Sequence, residues 1–194
     1  LDTENKNDLW AKAIEKELKN VIVASQLLEH DELIPVGSKE ISYHFIFDVK
    51  FDLTRKARLV ADGHRHKDVP SHLTYSSVAS RESVRMGFLL AALNGLDIMA
   101  CDIGNAYLNA PNREKVHVTV GAELFGKEHE GKKAIIVRAL YGLKSAGAAW
   151  RSMFANAIQH ELGYHSCPAD PDVWMKAKVK KNGGKYYSYI IVYV

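Results

Sequence analysis

The sequence predicts an α+β domain, with helices packed on an antiparallel sheet. Three observations lead there. From Ile41 to Lys50 apolar and polar residues alternate with a period of two, as in a half-buried strand. Asn182-Gly183-Gly184 separates two strand-like runs, a hairpin turn signal. Helix signals lie before the first of these, at Trp10–Val21, and between the two, at Arg81–Asn94. Hairpins interleaved with a few helices make α+β the expected class.

In chain order, Trp10, Ile14, Leu18 and Val21 recur at intervals of four, four and three, an amphipathic helix. Asp8 is its expected N-cap, and Lys12, Glu15, Lys16 and Lys19 form its solvated face. The strand that follows has Ile41, Tyr43, Phe45, Phe47 and Val49 on one face and Ser42, His44, Asp48 and Lys50 on the other. Asp52-Leu53-Thr54 breaks it, and Arg55–Ala61 returns as the second strand of a hairpin. Gly63 ends that strand, and a basic loop continues through Lys67. Ser80 caps a helix over Arg81–Asn94, and Gly95 stops it. Short strands are expected at Asp97–Asp102, Val116–Val120 and Ile135–Val137. Ala146–Leu162 is expected to be a helix, with Trp150, Phe154 and Ile158 on its core side and Gly163 at its end. Asp170 and Asp172, flanking Pro171, are expected to form a turn. The hairpin Val173–Lys180 and Lys185–Val194 closes the sequence.

The 194 residues suit one compact domain or two small lobes. With 47% apolar and 25% charged residues, the chain can bury enough surface to offset ordering entropy, which excludes general disorder. Two cysteines, Cys101 and Cys167, exclude a disulfide scaffold and fit a reducing compartment. No apolar stretch approaches the ~20 residues needed to span a bilayer, and the polar opening is no signal peptide. The absence of an initial Met and the closing apolar run Tyr189–Val194 give the expectation of a fragment. A net charge of +3 permits a polyanionic partner.

Asp102 stands out among the acids. It follows Ile98-Met99-Ala100-Cys101 and precedes Ile103-Gly104-Asn105, where small residues let backbone amides approach a ligand. Such a carboxylate suits either a turn cap or binding of Mg²⁺ with a polyphosphate. Arg55, Lys56 and Arg58 could be the solubilising charges of an exposed edge. His64, His66, His72 and Cys167 match no structural zinc spacing. Trp150 and Phe154 are expected in the core.

Four motifs occur in order. They are Lys56-Ala57-Arg58-Leu59-Val60-Ala61-x-Gly63; Cys101-Asp102-Ile103-Gly104-Asn105-Ala106-Tyr107-Leu108-Asn109; Ala139-Leu140-Tyr141-Gly142-Leu143-Lys144-Ser145-Ala146 with Ala149-Trp150; and Asp170-Pro171-Asp172-Val173-Trp174. Tyr193-Val194 follows. From about Trp10 onward the series resembles the reverse transcriptase, an RNA-directed DNA polymerase, of Ty1/copia-type LTR retrotransposons.

The resemblance implies the fingers and palm of a right-hand polymerase over residues 1–194, with an N-terminal helix at about 8–21 and without thumb, connection or RNase H parts. It implies two Mg²⁺ ions, with metal binding at Asp102 and Ile103 and catalysis through Asp102. Substrate dNTP would lie on Lys56, Arg58, Gly104, Asn105, Ala106 and Tyr107, with Tyr107 beneath the sugar as a selector against ribose. Tyr141, Gly142 and Lys144 match the turn that contacts the template–nucleotide pair. Implied partners are an RNA or DNA template–primer, dNTPs and the rest of the retrotransposon polyprotein, with no membrane; the implied location is intracellular, cytoplasmic or nuclear.

In the family two further acids follow a Tyr-x dipeptide, where this sequence reaches Tyr193-Val194. Asp97, about 16 Å away along a strand, cannot replace them. The expectation is therefore that these residues alone do not polymerise, and that Ile191 and Tyr193 are exposed. An eroded, non-catalytic nucleic-acid-binding remnant is the alternative. Gly147 and Ala148 stand where relatives frequently have Pro and Arg, which loosens that helix start by ~1 kcal/mol or less.

Overall fold

A computed structural model describes residues 1–29, 32–65 and 69–193. His66 of the rejected zinc set, part of the basic loop, and Val194 lie outside the described residues. The helices are α1 (Asp2–Asn5), α2 (Leu9–Val21), α3 (Arg81–Asn94), α4 (Ala122–Phe125) and α5 (Ala146–Asn156). The strands are β1 (Ser25–Leu27), β2 (Lys39–Glu40), β3 (Tyr43–Val49), β4 (Arg55–Ala61), β5 (Val116–Thr119), β6 (Lys133–Ile136), β7 (His165–Cys167), β8 (Asp170–Val179) and β9 (Lys185–Ile191). This is a mixed α/β chain that divides into two compact units.

The first unit comprises residues 1–75 and 105–150. Its larger sheet has the order β1-β6-β5-β2, antiparallel except for the parallel pair β2–β5. Val116, Val118, Ala134 and Ile136 fill its buried face. The β3–β4 hairpin is a separate sheet, with Phe45 opposite Leu59 and Ile46 opposite Arg58. Along β4, Ala57, Leu59 and Ala61 are buried, so Lys56 and Arg58 share the other face. Helix α2 packs on β4. There Glu17 accepts the Leu59 amide at 2.9 Å, satisfying an edge donor that would otherwise be orphaned.

The cap of α2 differs from expectation. Asp8 holds the N-cap position but makes no capping bond; its carboxylate pairs with Lys12 at 2.9 Å. Asp2 accepts the Trp10 and Ala11 amides instead, at 3.2 and 2.9 Å. A carboxylate eight residues back can cap only because α1 folds the chain over the helix start.

The second unit comprises residues 76–104 and 151–194 and has a β7-β8-β9 antiparallel sheet. The β8–β9 register places Trp174 opposite Ile190, and Lys180 and Gly184 close the turn at 2.8 Å. Helix α3 packs on β9: a Cβ at Gly87 would collide with the Ile191 side chain. Ile191 is thus half-buried, against expectation, whereas Tyr193 is exposed. Ser80 caps α3 through the Ser83 amide at 3.0 Å, and Gly95 ends it in the left-handed region. Helix α5 gives way at Ala157–Glu161 to a π-turn, ending at Gly163 with φ 69°.

Two expectations fail in this unit. Asp97–Asp102 is not a strand. Among the described residues no backbone hydrogen bond anchors residues 97–104, and Met99 is 88% exposed. Apolar β-formers make a strand only where a neighbouring edge accepts their amides. Asp170 and Asp172 form no turn; both lie in β8. Asp172 is 2% exposed and receives Arg151 Nε at 2.8 Å as well as the Ser77 hydroxyl. Asp170 accepts the Ser80 amide at 2.9 Å and the Ser83 hydroxyl at 2.5 Å. The single sheet expected from the sequence is three sheets among the described residues.

Candidate functional site

In the first unit the site is built on glycine. Gly142 has φ 90°, and a Cβ there would run into the Ala61 carbonyl oxygen. The Ala61 amide donates to the Tyr141 carbonyl at 2.8 Å. A Cβ on Gly63 would in turn strike the Gly142 carbonyl and lie 2.9 Å from Leu143 Cα. The turn after Leu140 therefore lies backbone to backbone against the end of β4, an approach that no side chain permits.

Beside that seal Arg58, Tyr107 and Tyr141 come together. Arg58 reaches from β4 over the Tyr141 ring, 6.0 Å from its centroid, within cation–π range. Tyr107 meets Tyr141 at 4.9 Å between centroids with a 40° tilt. Tyr107 sits there because Asn105, at φ 50°, starts a 3₁₀ turn over Ala106–Asn109. Leu108 and Ala110 anchor that turn in the core. Lys56 is half-buried two residues before Arg58, and Lys144 is exposed beyond Gly142. Neither has a hydrogen-bond or ionic partner among the described residues.

Glu114 is the residue that sequence reasoning missed here. It is 7% exposed and accepts the Ser145 amide at 2.8 Å. Its own amide donates to Asn112 Oδ1 at 3.0 Å, and Asn112 Nδ2 donates to Ile136 O at 2.8 Å. The pair braces the turn from below. An acid in a loop between charged neighbours gives no periodicity signal, so its burial shows only in three dimensions.

In the second unit Asp102, Ile103 and Gly104 are exposed on the unpaired segment. Residues assigned to one nucleotide site thus fall into both units, and Asn105 and Ala106 belong to the first. A cleft of about 640 Å³ in the first unit, lined by Glu40, Tyr43, Thr119 and Glu123 among others, includes none of the predicted residues. There Tyr43 donates to Glu123 at 2.9 Å and accepts the Gly121 amide at 2.8 Å; burial pushes its hydroxyl up to about 12. This fits a structural tyrosine.

Residues 32–192 match the family of reverse transcriptases, RNA-dependent DNA polymerases. The chain belongs to this family. It is 29% identical over 157 residues to the retrovirus-related Pol polyprotein from transposon TNT 1-94 of Nicotiana tabacum, covering 77% of the chain and 12% of that protein. It is 26% identical over 199 residues to the Pol polyprotein from transposon RE1 of Arabidopsis thaliana, covering 97% and 13%. The transposon Ty1-DR4 Gag-Pol polyprotein of Saccharomyces cerevisiae is 31% identical over 124 residues, covering 63% and 8%. The chain therefore spans only 8–13% of the length of these three relatives. No solved structure matches it.

This copia-type reverse transcriptase segment comes from a family that generally uses divalent metal ions. Among the described residues no three His, Cys, Asp or Glu side chains gather to hold an ion. Among them, no helix is long and apolar enough to cross a membrane.

Proposed function

We propose that these residues form the fingers and part of the palm of a right-hand RNA-directed DNA polymerase, acting within a retrotransposon polyprotein inside the cell. Thumb, connection and RNase H parts would lie outside residues 1–194. The reaction is attack of a primer 3′-hydroxyl on the α-phosphate of a dNTP paired to an RNA or DNA template, with release of pyrophosphate.

The observation that carries the reading is the Arg58–Tyr141–Tyr107 arrangement, spaced at 6.0 and 4.9 Å on a turn sealed by Gly142. A cation and two rings held by buried backbone suit a phosphate, a sugar and a base respectively. In this reading Lys56 and Arg58 hold phosphate oxygens, while Tyr107 closes the space a 2′-hydroxyl would need. Backbone at Gly104, Asn105 and Ala106 faces the triphosphate, and Tyr141, Gly142 and Lys144 line the template–nucleotide pair. Asp102 with Ile103 supplies only part of a coordination shell for Mg²⁺, which takes octahedral oxygen donors.

The test is primer extension by the polypeptide that carries this segment. Asp102→Asn is expected to abolish incorporation while template–primer retention persists. Undiminished extension by that variant would sink the assignment. The exposure of Asp102 on a segment outside any strand favours one second reading, an eroded, non-catalytic nucleic-acid-binding remnant. Its signature is retention of template–primer without incorporation by the unsubstituted protein.

A further inference from the structure

The β8–β9 hairpin carries Lys176, Lys178, Lys180, Lys181 and Lys185, with no acidic residue between Val173 and Val194. We propose that this hairpin is a docking surface for the phosphate backbone of single-stranded nucleic acid. The inference deepens the proposed function, on whose nucleic-acid partner it rests, and assigns a binding surface within the second unit.

The geometry supports a linear polyanion. Lys176 and Lys178 alternate with Met175, Ala177 and Val179 along β8, and Lys180 continues the series. Their spacing is about 6.8 Å, a regular row of cations along which a linear polyanion can lie. Opposite it, the register places Tyr186 across from Lys178 and Ser188 across from Lys176. Lys180 lies 5.8 Å from the Tyr186 ring centroid, and Lys176 lies 5.8 Å from that of Tyr164. Tyr164 is fixed by a 2.9 Å hydrogen bond with Ser188. Aromatic rings among cations are what sequence-tolerant binding of unpaired bases uses.

The charges are available. Lys176 Nζ is tied to the Leu162 carbonyl at 2.6 Å. The side chains of Lys178, Lys181 and Lys185 have no hydrogen-bond or ionic partner among the described residues. The nearest acids in sequence, Asp170 and Asp172, sit at the far end of β8 and are held by Ser80, Ser83 and Arg151. The tip, Lys180-Lys181-Asn182-Gly183-Gly184-Lys185, has no apolar residue to enter a bilayer, which argues against an anionic lipid surface.

The experiment is fluorescence anisotropy of a labelled single-stranded RNA with the full 194-residue chain, titrated from roughly 50 to 200 mM salt. Replacing Lys176, Lys178 and Lys180, the row along one face of β8 and its continuation, with Gln is expected to flatten the slope of log affinity against log salt by about 2, near 0.7 for each phosphate that is no longer neutralised. Replacing the same three residues with Arg restores it. Lys12, Lys16 and Lys19 replaced with Gln on α2 give the same change in net charge and leave the slope in place. An unchanged slope in the hairpin variant, or equal flattening in the α2 variant, overturns the proposal. So does hairpin-dependent capture of phosphatidylserine vesicles without capture of RNA. Asp102→Asn does not enter this measurement, so undiminished primer extension by that variant alongside the expected change in salt slope defeats the polymerase reading and leaves the hairpin surface standing.

Discussion

The turn around Gly142 and the segment around Asp102 lie at opposite extremes of order, although the family motif enlists both. At Gly142 the backbone touches Ala61 without an intervening side chain, and Glu114 closes the turn from the protein interior. Around Asp102, residues 97–104 form no backbone hydrogen bond among the described residues, and Ile98 and Met99 face solvent. The difference teaches that Arg58, Tyr107 and Tyr141 are placed by packing internal to the first unit. The carboxylate stands on a strand-like sequence that has found no strand to pair with.

The largest effect is expected where the second unit is well packed, which sets the scale for its unpaired segment. Asp172→Ala leaves Arg151 without its 2.8 Å partner and should cost about 3 kcal/mol, the lower end for breaking a buried pair. Denaturant unfolding followed by Trp174 fluorescence measures it, and a cost below about 1 kcal/mol would place the pair among surface bridges. Next, Gly142→Ala forces a Cβ against Ala61 at φ 90° and should destabilise the first unit by about 2–3 kcal/mol. A neutral result in denaturant unfolding followed by the first unit's Trp10 and Trp150 would mean that the seal between the turn and β4 is absent.

Acid sharpens the comparison further. The Ser83 hydroxyl, then the Ser80 amide, hold Asp170 below its ordinary carboxylate value of 3.8. A lowered folded value contributes stability above the unfolded value and loses it as pH falls through the folded one. The second unit should therefore weaken below about pH 4, and Asp170→Asn should flatten that dependence in thermal melts. The smallest effect belongs to the Asp102 segment. Met99→Ser is expected to change stability by no more than about 0.5 kcal/mol, and amides 97–104 should exchange fastest in hydrogen-exchange measurements. Protection there comparable with α3 would erase the contrast.

Much of this was legible because the signals are local. Ser80 and Gly95 bracket α3 through bonds within a few residues, and Asn182-Gly183-Gly184 encodes its own turn. The pairing of Tyr107 with Tyr141 was not legible, since neither side chain carries information about a partner 34 positions away. Asp170 and Asp172 misled for the same reason: beside a proline they look like turn formers, while Ser77, Ser80, Ser83 and Arg151 lie far off in sequence.

By itself the sequence determined that helices and sheets are mixed, the positions of the main helices and hairpins, and membership of the reverse transcriptase family, because periodicity, capping and motif order are written along the chain. Only the tertiary structure decided which carboxylates are buried, that β4 and the Gly142 turn meet backbone to backbone, and that Asp97–Asp102 is no strand. Burial and strand pairing depend on neighbours distant in sequence, and a residue's own preference cannot supply the partner that satisfies it.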